Sequence, residues 1–169
     1  MLDATLMLGF LTPAAVLGLG LIATWNHDLT RVVYGGTAIL VLGLVARYAI
    51  VGVRVMATAI AQSPRSLDEA AAVFGAGPLG VLRRIIAPLH VRGLAAAWLL
   101  SLVFCVRDLD TVVLFYPPGL EPLTVRIFTL EANGPEAVVA ALAVTQIGVT
   151  AALLVAMLAA ARIRLRRTG

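Results

Sequence analysis

The 169-residue sequence contains no lysine, a single cysteine and two histidines, and aromatic residues make up only 6% of it. Each shortage removes a class of function. Without lysine the chain cannot form a glycine-rich phosphate loop ending in Gly-Lys-Ser or Gly-Lys-Thr, so it is not expected to bind nucleotide in that way. Cys105 lies inside an apolar run; one cysteine supports neither a disulfide framework nor a thiolate cluster, and it reads as a small packing residue. His27, beside Asp28, reads as a solvated loop residue, and His90, beside Arg92, as an interface residue. With no close group of ligating side chains, no metal site is expected. No nucleophile, base and orienting group can be assembled either, so no catalytic residue and no cofactor is assigned, and the chain is not expected to be an enzyme.

Charge is also scarce, at 13% of residues, whereas 61% are hydrophobic and the mean hydropathy is +1.00. That apolar share exceeds the usual content of a soluble domain. A bilayer core of about 30 Å needs roughly 20 apolar residues in helical form, and four stretches qualify, at about 4–24, 32–53, 94–115 and 136–161. The expected fold is an all-α membrane protein, a single bundle of about four transmembrane helices. Pro13 lies within the first stretch, where membrane helices tolerate it better than soluble ones do. Arg47 and Tyr48 near the end of the second suggest a helix reaching an interface where arginine snorkels. Tyr116-Pro117-Pro118-Gly119 breaks the third, and a brief helix is expected around 125–130. Met1-Leu2-Asp3 supplies no basic region of the kind that precedes a cleaved leader, so none is expected.

All 13 basic residues are Arg, and their net excess of +4 would suggest nucleic acid in a soluble protein. Here they gather at the ends of apolar segments, which makes them topology signals, and no nucleic-acid partner is expected. The segment 54–92 and the tail ending Arg162-Ile163-Arg164-Leu165-Arg166-Arg167 together hold nine Arg, against Arg31 and Arg126 on the other side. The positive-inside rule assigns the first side to the cytoplasm.

The segment 54–92 carries the most specific pattern. Ser66-Leu67-Asp68-Glu69 matches a capping box, with Ser66 bonding the first free amides and Glu69 reaching back to the Ser66 amide. A helix starting there would run through Phe74 and stop at Gly75-Ala76-Gly77. A second could open at Pro78, carry Val81, Leu82, Ile85 and Ile86 as an apolar stripe, and end near Pro88. Two helices this short are not stable alone. They need either a membrane surface, as an interfacial hairpin, or a soluble protein into which a rigid knob can dock.

Glu69-Ala70-Ala71, Gly75 after three residues, Ile85 after nine more, and then Pro88 resemble the EAA loop of permease subunits in binding-protein-dependent ABC importers, with Ala87 standing where that family usually has Leu. The resemblance implies a cytoplasmic two-helix coupling loop at about 54–92, docking in a cleft of a separate ABC ATPase subunit that hydrolyses the ATP. Its other implied partners are a periplasmic or lipid-tethered substrate-binding protein, a second permease chain or half, and the lipid bilayer of a bacterial inner membrane. The run Arg107-Asp108-Leu109-Asp110-Thr111, followed by Pro117-Pro118-Gly119 and Leu123-Thr124-Val125-Arg126-Ile127, is also similar to the ferric-iron and thiamine group of such permeases, which implies ferric iron as cargo. The family's first helices have no counterpart here, so the chain is expected to be the C-terminal part of a permease or one of split design. A small membrane scaffold that recruits a soluble partner, an autonomous channel or carrier, and a non-functional fragment are the alternatives.

Arg107, Asp108 and Asp110 lie inside the third apolar stretch, where an unpaired charge costs about 2.5–3.5 kcal/mol even on the lenient insertion scale. Two readings stay open. Arg107 pairs with Asp108, Asp110 or a partner's carboxylate and stabilises a helix break, or the three line a translocation path, where acidic groups would suit a cation.

Overall fold

The computed structural model describes residues 2–62, 80, 83 and 86–162. Every regular element among them is helical. In chain order these are α1 (Leu2–Leu11), α2 (Ala14–Trp25), α3 (Arg31–Tyr34), α4 (Thr37–Ala61), α5 (Ala87–Arg107), α6 (Leu123–Glu131) and α7 (Glu136–Arg162), with single 3-10 turns at Asp28–Thr30 and Val112–Leu114. Three helices are long and apolar enough to cross a membrane: Thr37–Ala61, Ala87–Arg107 and Glu136–Ala160. A fourth crossing results if α1 and α2 count as one broken span.

That first segment is not the straight helix its composition suggests. α1 and α2 meet at 107° across Thr12-Pro13. Pro13 has no amide hydrogen to continue α1 and its ring restricts Thr12 to extended backbone, so the helix ends and restarts at a new angle. α4 runs to Ala61, eight residues past Val53, which leaves Arg47 as the eleventh of its 25 residues rather than near an end. α5 begins at Ala87 and stops at Arg107, short of Phe115. Pro88, expected to terminate a helix, instead stands in the first turn of α5, where its missing amide hydrogen would have had no acceptor in any case. α6 and α7 fall where the sequence places them.

α4 packs against α5, α5 against α7, and α1 against α4. The buried apolar set among the described residues is small: Ile39, Ile50, Ala97, Val103, Val112, Phe115 and Val125. In a soluble domain so few would be inadequate. Here Val41, Val45, Trp98, Val144 and Val155 stand exposed on the outer faces, and lipid supplies the apolar surroundings. Close approach replaces bulk at the contacts. A Cβ on Gly9 would collide with the Ala46 carbonyl of α4, and one on Gly43 would collide with the Phe115 ring and the Leu21 side chain. Small residues at such points let backbones and rings meet without strain. After Val112–Leu114 the chain reverses through Pro117-Pro118-Gly119-Leu120, with the Leu120 amide donating to the Pro117 carbonyl at 3.1 Å. Gly119 takes φ 79°, the positive value that a type II turn requires at its third position.

Candidate functional site

The centre of the bundle contains irregular backbone, which membrane depth permits only where protein groups satisfy the freed donors and acceptors. At the end of α5 they do. Gln146 of α7 donates through Nε2 to the Val106 carbonyl at 2.7 Å, and Thr124 of α6 donates through Oγ1 to the Asp108 carbonyl at 2.8 Å. Gln146 is the eleventh residue of α7, and Arg47 is the eleventh of α4. At a rise of 1.5 Å per residue both lie about 15 Å from the start of their helices, well inside helices long enough to cross a hydrocarbon core about 30 Å thick.

Asp108 organises this level. It leaves the helix with extended backbone, φ −70° and ψ 121°, and its carboxylate turns to cap the following 3-10 turn. Oδ1 accepts from the amides of Thr111 at 2.9 Å and Val112 at 3.3 Å. Oδ2 accepts from the Thr111 hydroxyl at 2.7 Å and the Tyr48 hydroxyl at 2.6 Å. Its ion-pair partner is Arg47, with Nε 3.6 Å from Oδ2. Asp108 is 6% exposed and Thr111 fully buried, so the charge is removed from solvent and compensated by several donors at once.

Arg47 joins that node to the broken first segment. Its Nη1 donates to the Thr12 carbonyl at 3.2 Å, at the point where α1 gives way to α2. Its Nε is buried without a hydrogen-bond partner among the described residues, the 3.6 Å approach to Asp108 being an ion pair but too long for a hydrogen bond. The Tyr48 ring lies stacked on Phe104, 5.6 Å between centroids, and edge-on to Phe10 at 6.4 Å. One polar cluster thus links α1, α4, α5 and the turn that follows α5, enclosed by aromatic rings.

The three charges grouped by sequence separate in space. Asp108 is buried in the cluster, whereas Arg107 and Asp110 are exposed and form no ion pair among the described residues. Arg107 does not pair with Asp108; it lines a groove with Gln146, Thr150, Ile127, Ala143 and Leu154. Sequence reasoning missed Arg47, Tyr48 and Thr111. The only local signal was an arginine inside an apolar run, and it was compatible with snorkelling. Of the expected coupling residues, Glu69, Ala70, Ala71, Gly75 and Ile85 lie outside the described residues, and only Pro88 is placed. His27 holds the Ala23 carbonyl through Nε2 at 2.8 Å, at the end of α2. Among the described residues no three of the His, Cys, Asp and Glu side chains converge where they could hold a metal ion.

These features define a multi-pass helical membrane protein with a buried polar centre part-way along its long helices. Over 145 residues, 84% of its length, the chain is 28% identical to a protein of Salmonella paratyphi A provisionally named 2-aminoethylphosphonate transport system permease protein PhnV, and it matches the Salmonella typhimurium protein of that name equally. The chain spans about half the length of these curated relatives, the alignment covering 53% of each. No family model matches the chain, and no solved structure does.

Proposed function

We propose that this chain is a membrane-spanning permease subunit of an ABC importer, forming part of the path for a small phosphonate and coupling to a separate ATPase through the segment 54–92. The alignment with transport-system permeases over 84% of the chain carries this reading. The EAA-like spacing, which begins at Glu69 after α4 and ends at Pro88 in the first turn of α5, supports it as a local pattern within the aligned stretch. On this reading Glu69 caps the first loop helix, Gly75 makes the turn, and Val73, Phe74 and Ile85 form the contact with the ATPase. The loop and the arginine-rich tail face the cytoplasm of a bacterial inner membrane. A substrate-binding protein delivers cargo from the other side, and a second permease chain or half completes the bundle.

The cargo assignment moves from ferric iron to phosphonate. Ferric iron rested on a resemblance of the 107–127 run and on acidic groups that would suit a cation. The relatives are named for 2-aminoethylphosphonate, and Asp108, the acid best placed to meet a cation, is already committed to Arg47, Tyr48 and Thr111. The exposed charge in the groove is Arg107, which suits an anion.

Co-purification of the detergent-solubilised chain with its candidate ATPase, comparing the intact loop with a Glu69→Ala, Gly75→Val double variant, tests the coupling role. Retention by the intact loop and loss by the variant is the expected result. Failure of the intact chain to hold any ATPase would overturn the permease reading.

A further inference from the structure

The geometry points to the groove between the end of α5, α6 and α7 as a binding site for a phosphorus oxyanion, with Arg107 as its anchoring cation; the inference rests on the importer reading for the identity of the solute. The groove has a volume of about 450 Å³, within the range that holds small ligands and far larger than a partner's carboxylate needs. Its walls are mostly apolar, with Ile127, Ala143 and Leu154 around Arg107, Gln146 and Thr150. Gln146 donates its amide to the Val106 carbonyl and Thr150 donates its hydroxyl to the Gln146 carbonyl, so within this apolar cleft Arg107 is the donor left to meet an anion.

Depth gives the arginine its meaning. Arg107 directly follows Val106, whose carbonyl is held by Gln146, the eleventh residue of α7. A guanidinium at that level is expensive in lipid, so it faces water, an anion or another protein group. Every acidic group that forms an ion pair among the described residues does so elsewhere: Asp108 pairs with Arg47, Asp3 with Arg54, and Glu121 with Arg126. The planar fork of a guanidinium matches two oxygens of a tetrahedral oxyanion, which a lysine would meet only as a point charge. Lipid phosphates lie at the bilayer surface, about 15 Å from the midplane, half the thickness of the hydrocarbon core. A free solute is therefore the better occupant.

The test measures binding of 2-aminoethylphosphonate and of inorganic phosphate by 31P NMR to the full chain in maltoside micelles, which contain no phosphate. Ethanolamine serves as the competitor lacking phosphorus. Wild type is compared with Arg107→Gln, Arg107→Lys and, as a control on an exposed arginine outside the groove, Arg126→Gln. Both phosphorus compounds should bind the wild type, with roughly tenfold weaker binding by Arg107→Gln, as expected for loss of a charge-assisted hydrogen bond. Arg107→Lys should fall between, Arg126→Gln should match wild type, and ethanolamine should not compete. Equal binding by wild type and Arg107→Gln, or no binding by a wild type that elutes as one species with a helical spectrum, overturns the site. Displacement by phosphatidylglycerol at a few molecules per chain, without saturation by either free compound, overturns it in favour of a lipid. Retention of the ATPase by the same preparation separates the two proposals. ATPase retained without phosphorus binding sinks only the site, and phosphorus binding without ATPase sinks only the importer reading.

Discussion

Arg107 and Asp108 are neighbours in the chain and opposites in the fold. Asp108 turns inward and is held by Tyr48, Thr111, the Val112 amide and Arg47. Arg107 turns outward into a groove and pairs with no described acid. One peptide bond separates a charge that stabilises the fold from a charge left available to something outside it. In a membrane protein, therefore, the cost of a buried charge identifies that it must have a partner, and only the surrounding helices decide whether that partner is internal.

Substitutions can break or sharpen this contrast. Asp108→Ala should have the largest effect, because it leaves Arg47 buried and uncompensated and frees the Thr111 and Val112 amides together; a loss of about 3–5 kcal/mol is expected, read from denaturant titration of helicity in micelles. Tyr48→Phe removes one hydroxyl while the other donors to Asp108 remain, so about 1–2 kcal/mol should be lost in the same titration. Arg107→Gln should change stability by no more than about 0.5 kcal/mol, as expected for a side chain whose removal leaves no buried group unpaired. A loss for Arg107→Gln as large as that for Asp108→Ala would show that the two residues share one structural role.

Much of the fold was legible because apolar length and turn chemistry are local. The last helix, the brief helix near Val125 and the reversal at Pro117-Pro118-Gly119 each follow from residues within a few positions of one another. What was not legible depends on distant partners. Pro13 could have given a gentle kink or a sharp turn, and the 107° bend exposes a Thr12 carbonyl that is satisfied from Arg47, 35 residues away. α5 was expected to continue to Phe115, but the Asp108 carboxylate stabilises the next turn instead of another helical residue. That preference depends on Tyr48 and Arg47 from α4, which no spacing in the 107–115 run reveals. The candidate site was legible in part. Of the three charges singled out, the structure buries Asp108 in the polar cluster and leaves Arg107 and Asp110 exposed, a division that their spacing does not encode.

The Arg47–Asp108 pair also has a consequence for biosynthesis. Some sixty residues separate the two, so at synthesis rates of about 5–20 residues per second Asp108 emerges roughly 3–12 s after Arg47. During that interval α4 has reached the translocon with an arginine near its midpoint and no carboxylate to receive it. The apolar residues of α4 favour entry into lipid by a few tenths of a kcal/mol each, against a cost of about 2.5–3.5 kcal/mol for the arginine. α4 can therefore insert early, with α1 already made and able to hold it through Thr12–Arg47 and Asp3–Arg54, while the buried Arg47–Asp108 pair forms only when the end of α5 arrives.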